Sequence, residues 1–133
     1  MIPPLQYYID AKRPLAATSP YEWDVFVSAY NDNSRVQTTF GWVKANRKVW
    51  WLLPEYGYST AEYPNDGFEI REFESKHEAD LIRRGLDGLL DDRASRICID
   101  ITGLMRQHIL FILRLMKDKG CKQFDLLYTE PEH

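Results

Sequence analysis

RICIDITGLMRQHILFILRLMKDKGCKQFDLLY, residues 96–128, contains two short apolar runs on either side of a longer one. The pattern predicts a strand over residues 96–101, a helix over 106–119 that Gly120 caps, and a second strand over 122–128. Two strands joined by a helix at this spacing pair in parallel through a right-handed crossover. The segment therefore predicts an α/β fold, namely a single Rossmann-like domain with a mainly parallel sheet flanked by helices.

Two further strands are predicted upstream of this unit. Residues 23–29, WDVFVSA, form an almost unbroken apolar run, too short for a helix and typical of a strand buried on both faces. A helix follows, with Asn33 or Ser34 as its N-cap, and is expected to end near Asn46. The next strand is predicted over residues 48–53.

The middle of the chain predicts a weaker strand and another helix. Residues 68–73 alternate between apolar and charged side chains, which is typical of a short, half-exposed strand. Ser75 and Glu78 fit a capping box that opens a helix. Gly85 and Gly88 each weaken that helix by about 1 kcal/mol relative to alanine, which indicates fraying or an unusually close approach to a neighbouring element.

Length and composition limit the class of protein. The 133 residues suffice for one core, and four of the seven prolines lie in the first twenty residues, so we expect an arm over residues 1–22 and the domain over 23–133. With 17 basic and 20 acidic side chains, binding to nucleic acid through bulk charge is not expected. No apolar stretch approaches a membrane span and no secretory signal is visible, which predicts a cytoplasmic protein. Cys98 and Cys121 lack metal-type spacing, so no metal is expected.

Polar residues follow the first predicted strand where it ends. In a parallel sheet the carboxyl ends of the strands meet at one edge, where ligands usually bind. Tyr30, Asn31, Ser34 and Arg35 are candidates to bind a ribose or a phosphate there, with the free backbone donors of the following helix. An asparagine-rich turn before a helix explains the asparagines and the serine equally well. No GxGxxG glycine pattern is present, which disfavours NAD bound as in a dehydrogenase.

Glu55, Tyr56 and Tyr58 follow the second central strand. A tyrosine here can stack on a base, and the carboxylate can bind ribose hydroxyls or act as a general base, so Glu55 is the candidate catalytic residue. The alternative is an aromatic loop that only packs over the edge of the sheet.

Asp100 lies inside an apolar strand, where an unpaired carboxylate is costly, so it requires a partner such as Arg106, a backbone donor or a ligand. Thr102 and Gly103 follow as a tight turn, in which Gly103 permits a positive φ and close approach of a ligand. Arg106, in the first turn of the next helix, can hold an anion. The alternative is a structural aspartate that caps that helix.

The last helix is apolar over most of its circumference, so we expect it to be buried on more than one side. A domain of this size covers such a helix poorly, which favours a homo- or hetero-oligomer. His108, in its first turns, is interpreted as a core histidine.

Residues 22–52, EWDVFVSAYNDNSRVQTTFGWVKANRKVWWL, resemble the start of a Toll/interleukin-1 receptor-like (TIR-like) domain. Residues 97–120 are similar in outline to the strand, threonine-glycine turn and helix of CARF domains, the nucleotide sensors associated with CRISPR systems. These resemblances imply a nucleotide-binding or nucleotide-sensing module, of the kind used in anti-phage defence. Enzymatic TIR-like domains cleave NAD with a glutamate on a later helix, and the corresponding Glu78 falls in the capping box.

Two hypotheses of function stay open at this point. In the first, the polar residues at the edge of the sheet bind a nucleotide such as NAD, and an enzymatic version would hydrolyse NAD or another nucleotide. In the second, the chain is a non-enzymatic assembly subunit whose apolar last helix and aromatic loops pack on a partner chain.

Overall fold

The apolar runs of the sequence form one parallel sheet in the computed structural model, which describes residues 22–73, 78–89, 96–119 and 124–129. The strands are β1 (Glu22–Ala29), β2 (Lys44–Leu52), β3 (Glu69–Glu72), β4 (Ile97–Asp100) and β5 (Asp125–Leu127). Their order is β3-β2-β1-β4-β5, and every neighbouring pair is parallel. The predicted Rossmann-like α/β fold is therefore confirmed.

Within the described residues, three α-helices cover the two faces of the sheet. They are α1 (Ser34–Trp42), α2 (Glu78–Gly85) and α3 (Arg106–Asp118). The apolar side chains of α1 pack on one face, and those of α2 and α3 pack on the other. Within the described ranges, no helix is both long enough and apolar enough to cross a membrane.

The connection from β2 to β3 contains no α-helix and covers the α1 face of the sheet with a loop. Its regular parts are the 3-10 turns Pro54–Tyr56 and Thr60–Glu62. Phe68, at its end, packs edge-to-face on Phe40 of α1. Asp66 accepts a hydrogen bond of 2.8 Å from the indole nitrogen of Trp50. This loop therefore takes part in the core as well as joining two strands.

The adjacent tryptophans of β2 lie on opposite faces of the sheet, as predicted. Trp50 stacks on Phe40 of α1, with ring centroids 3.6 Å apart, while Trp51 packs against the α2 side. Both are almost completely buried. Because successive strand residues point to opposite faces, this pair helps to close both halves of the core.

The boundary between α1 and β2 differs from the prediction. Asn33 caps α1 as expected, by accepting a hydrogen bond from the backbone of Arg35, but the helix ends at Trp42 and not near Asn46. β2 then begins at Lys44, four residues before the predicted start. The reason is tertiary pairing, since the early residues of β2 are held in register along the whole length of β1. Such pairing overrides local helix propensity.

Several predictions fall outside the described residues. These are residues 1–21 of the arm predicted over residues 1–22, whose last residue Glu22 begins β1, together with the side chains of the capping box at Ser75 and Glu78, the cap at Gly120, and Cys121. The described strand β4 is one residue shorter at each end than predicted, and β5 covers only Asp125–Leu127 of the predicted residues 122–128.

The last helix is buried along one stripe. His108, Ile112 and Met116 are buried, Phe111 and Leu115 pack on the same core, and Leu110 keeps 59% of its surface exposed. The sequence predicted that this helix is buried on more than one side, and Leu110 does not meet that expectation. The oligomer that was expected to cover the helix stays a prediction.

Gly85 makes the close approach that the sequence indicated for the α2 glycines. A Cβ atom at this position would lie 2.6 Å from Cζ2 of Trp51. The indole nitrogen of Trp51 also donates a hydrogen bond of 3.1 Å to the Gly85 carbonyl. Arg71 of β3 donates to the same carbonyl and to that of Asp87, so the end of α2 is fixed against the sheet.

Replacing Gly85 with alanine should destabilise the protein by about 1–3 kcal/mol, because overpacking outweighs the gain of about 1 kcal/mol in helix propensity. The measurement is the free energy of unfolding in urea. Gly41→Ala in α1 is the matched control, since no atom of the described residues beyond its chain neighbours and the backbone of its own helix would lie within 4 Å of its Cβ. That control should be neutral or stabilising, and equal effects of the two substitutions would contradict the packing.

Candidate functional site

The order of the strands reverses at the centre of the sheet. From β1 the chain moves outward to β2 and β3, and then crosses to β4 and β5 on the other side. In open α/β sheets, ligands bind beyond the carboxyl ends of the strands at such a reversal. The carboxyl edge, defined here by residues 30–33, 53–68, 101–105 and 128–129 after β1, β2, β4 and β5, is therefore the candidate site.

Hydrogen bonds join the loops after β1, β2 and β4 at the carboxyl edge. The backbone N–H of Asp32 donates to the Tyr58 hydroxyl over 3.2 Å. The Tyr56 hydroxyl donates to the Gly103 carbonyl over 2.6 Å. The two tyrosines thus hold the β2 loop to loops on both sides of the reversal point.

The end of β5 completes this arrangement through Thr129. Its carbonyl accepts a hydrogen bond of 2.8 Å from Nη1 of Arg35, and its N–H donates to Oγ1 of Thr102 over 3.0 Å. Its hydroxyl lies 3.1 Å from that of Thr39 in α1. All four loops of the carboxyl edge are therefore in contact through named hydrogen bonds.

Asp100 ties β1, β4 and the following turn together. It is completely buried, accepts a hydrogen bond of 3.3 Å from the Ser28 hydroxyl, and accepts one of 3.0 Å from the Thr102 backbone N–H. Burial raises its pKa, an effect opposed by the hydrogen bonds from Thr102 and Ser28 and by the charge of Arg35.

The partner of Asp100 is thus a backbone donor and a serine, whereas Arg106 is exposed and makes no ion pair with another described residue. The alternative that Asp100 caps the last helix is wrong, because the N-cap of α3 is Met105. Both carboxylate oxygens already have partners inside the protein, so Asp100 fixes the turn after β4 to the end of β1.

Gly103 is required for close packing of the chain on itself. A Cβ atom there would lie 3.2 Å from the Ala29 carbonyl oxygen at the end of β1. Its φ is not positive, so the left-handed conformation that glycine permits is not adopted here. Glycine is needed because the β4 turn crosses directly over the end of β1.

Turn chemistry accounts for much of the polar run after β1. Oδ1 of Asn31 accepts from the Asn33 N–H over 2.7 Å, and the Asn31 carbonyl accepts from the side chain of Gln37. Ser34 is the exposed first residue of α1. Arg35, in contrast, extends from α1 to Thr129 and brings a positive charge to the carboxyl edge.

Three tyrosine rings form a cluster at the carboxyl edge, named the tyrosine cluster: Tyr30, Tyr56 and Tyr58. The rings of Tyr56 and Tyr58 are nearly parallel at 19° with centroids 5.8 Å apart, and Tyr30 packs edge-to-face on Tyr58 at 5.4 Å. Each ring is only partly buried. Burial raises the pKa of Tyr58, so its hydroxyl is protonated at neutral pH.

Glu55 and His108 form a buried pair that does not complete a hydrogen bond. Oε1 of Glu55 lies 3.8 Å from Nε2 of His108, beyond hydrogen-bond range. Among the described residues, neither the His108 Nε2 nor the Glu55 Oε2 has a hydrogen-bond partner. His108 is completely buried, and the Glu55 side chain keeps 19% of its exposure.

Sequence reasoning missed two contributors to this edge. His108 was interpreted as a core histidine, and Thr129 was not among the candidate residues. A signal was available for both, since Thr129 follows a predicted strand and His108 lies in the first turns of a helix that begins at the carboxyl edge.

Comparisons with known proteins found no match to the chain among family models, curated proteins or solved structures. The resemblances to TIR-like and CARF-like domains therefore stay predictions. In the part of the chain that the structure describes, no three His, Cys, Asp or Glu side chains converge as a metal site requires.

Asp100→Asn should flatten the pH dependence of stability. Because burial raises the folded-state pKa above the unfolded value, the native protein binds the proton more tightly, and its free energy of unfolding falls as pH rises from about 4 through the folded-state pKa. The size is about 1.4 kcal/mol for each unit between the two pKa values. Asparagine still accepts from Thr102 and carries no charge, so this fall should disappear.

Urea denaturation between about pH 4 and 8 measures the effect. Asp118→Asn is the control, since Asp118 is exposed at the end of α3 and its loss changes the net charge equally. If wild type gains stability relative to Asp100→Asn as pH rises, the assigned direction is wrong.

Proposed function

We propose that the carboxyl edge binds a nucleotide and that the protein is a nucleotide-binding or nucleotide-sensing module. The observation that carries the proposal is the meeting of four loops where the strand order reverses, with the tyrosine cluster and Arg35 on the same edge. The general position of ligand sites in open α/β sheets supports it.

The tyrosine cluster supplies the chemistry for a base. Its rings are partly exposed, and two of them are held in place by hydrogen bonds, Tyr58 by accepting from Asp32 and Tyr56 by donating to Gly103. Aromatic faces that are fixed in advance stack on a base at little entropic cost, and stacking is worth about 1–3 kcal/mol per base.

Arg35 supplies the chemistry for a phosphate. Nη1 and Nε of its guanidinium are engaged by Thr129 and Asn33, while Nη2 makes no hydrogen bond to another described residue. A guanidinium fixed on one side and free on the other is well suited to bind an anion. Arg106 is a second, exposed candidate on the same edge, at the start of α3.

The kind of nucleotide is suggested by the resemblances noted in the sequence. They favour NAD and cyclic oligonucleotides and a role in anti-phage defence. We also propose a cytoplasmic location. Because the sequence has no GxGxxG pattern, the proposed mode of nucleotide binding differs from the mode by which dehydrogenases bind NAD. If the protein is an enzyme, Glu55 is the carboxylate placed to act as a base on NAD or another nucleotide.

A thermal-shift panel of NAD, ATP and cyclic di-AMP should identify a binder. A nucleotide at 100 times its dissociation constant stabilises the native state by about 2.7 kcal/mol, which raises the melting temperature by several degrees. Arg35→Ala should weaken the affinity by about tenfold to hundredfold through the lost charged contact.

Arg114→Ala is the matched control, because Arg114 is exposed on α3. It should leave the affinity unchanged, and Arg106→Ala tests the second anion contact separately. A panel in which no nucleotide shifts the melting temperature would contradict the proposal.

The second candidate is the assembly subunit, which one observation favours. Leu110 keeps 59% of its surface exposed on α3, beside the half-buried Ile109 and Leu113. An apolar strip of this kind can pack on a partner chain, although single exposed leucines are common in monomers.

Light scattering on the purified protein tests this candidate. An oligomer is expected that Leu110→Glu dissociates, because a carboxylate in an apolar interface would be desolvated. Arg114→Glu, which changes an exposed position on the same helix, should dissociate it less. A clean monomer for wild type would exclude self-association through α3.

A further inference from the structure

We infer that Glu55 and His108 together bind a ligand hydroxyl, and that in a nucleotide this group is a hydroxyl of the ribose. The inference rests on the proposed nucleotide-binding function and specifies which part of the ligand lies at this pair. It is carried by two buried polar atoms, Nε2 of His108 and Oε2 of Glu55, that have no partner among the described residues, and by the distance of 3.8 Å between Nε2 and the other Glu55 oxygen.

The tautomer of His108 is set by the backbone. The N–H of Met105 donates to Nδ1 of His108 over 3.2 Å, within the turn that begins α3. Nδ1 is therefore the acceptor, and the proton of the neutral ring is on Nε2. His108 thus presents an N–H donor toward the Glu55 carboxylate.

Glu55 and His108 do not form a hydrogen bond with each other. Nε2 and Oε1 are 3.8 Å apart, whereas an N–H···O hydrogen bond spans about 2.7–3.2 Å. Oε2 of Glu55 is likewise buried and without a partner among the described residues. Unpaired buried polar atoms are costly, and native proteins retain them chiefly where a ligand, a water molecule or catalysis uses them.

The chemistry of the two atoms selects the ligand group. Nε2–H requires an acceptor, and the Glu55 carboxylate requires a donor. A phosphate oxygen only accepts and is repelled by the carboxylate, while an ammonium group only donates. A hydroxyl does both, since it accepts from His108 and donates to Glu55 at the same time.

The two residues differ in their freedom to admit such a group. His108 is completely buried and fixed by Met105. Glu55 lies on the three-residue turn Pro54–Tyr56, and its side chain keeps 19% of its exposure. A rotation of the Glu55 side chain toward solvent widens the gap, so the hydroxyl enters from the carboxyl edge beside Tyr56.

The test compares ATP, NAD and cyclic di-AMP with analogues that lack the ribose hydroxyls, using isothermal titration calorimetry on the full chain. For a nucleotide that binds, the analogue should bind about tenfold to hundredfold more weakly to wild type. In Glu55→Ala the nucleotide and its analogue should bind equally. Glu22→Ala, at the opposite end of β1, should keep the wild-type ratio.

Each outcome separates this inference from the proposed function. If no nucleotide binds, both fail. If a nucleotide and its analogue bind wild type equally, the proposed function stands and the pair holds a water molecule or nothing, which overturns the inference. If the analogue remains weaker in Glu55→Ala, another part of the protein reads the hydroxyl, and the inference is again wrong.

Discussion

The parallel pairing of β1 with both β2 and β4 is the constraint on which the rest of the structure depends. β1 is the central strand, with α1 packed on one face and α2 and α3 on the other. Because its neighbours run in the same direction, their carboxyl ends lie side by side. The Ser28 and Asp100 contact lies at the last paired position of β1 and β4, so the core and the carboxyl edge share one hydrogen bond.

The sequence predicted a mainly parallel sheet flanked by helices because the signals for it are local, whereas the order of the strands came only from the structure. The apolar runs at β1 and β4 and the spacing of the last strand-helix-strand unit require only hydrophobic periodicity and the handedness of crossovers. The boundary between α1 and β2 was wrong because it depends on register with a distant strand, which no local pattern contains. Gly85 was anticipated as a point of close packing, but its partner Trp51 is known only from the fold.

The candidate site was predictable in position and less so in composition. Glu55, Tyr56 and Arg35 could be chosen because each follows a strand, yet their partners lie far away in sequence. For Asp100, the sequence predicted that a buried carboxylate needs a partner. It could not predict that the partner is Ser28, because that contact depends on the register between β1 and β4. The sequence alone favoured a core histidine at position 108, because nothing in it indicates that Glu55 lies beside this side chain in the fold.

The loop between β2 and β3 replaces the helix that usually makes such a crossover. Asp66 and Phe68 of this loop pack over Trp50 and Phe40, and the same segment carries Glu55, Tyr56 and Tyr58. A substitution that changes the surface of this segment therefore also affects the packing of the core. Changes at this part of the carboxyl edge are consequently coupled to folding, so the segment has less evolutionary latitude than a loop that makes no contact with the interior.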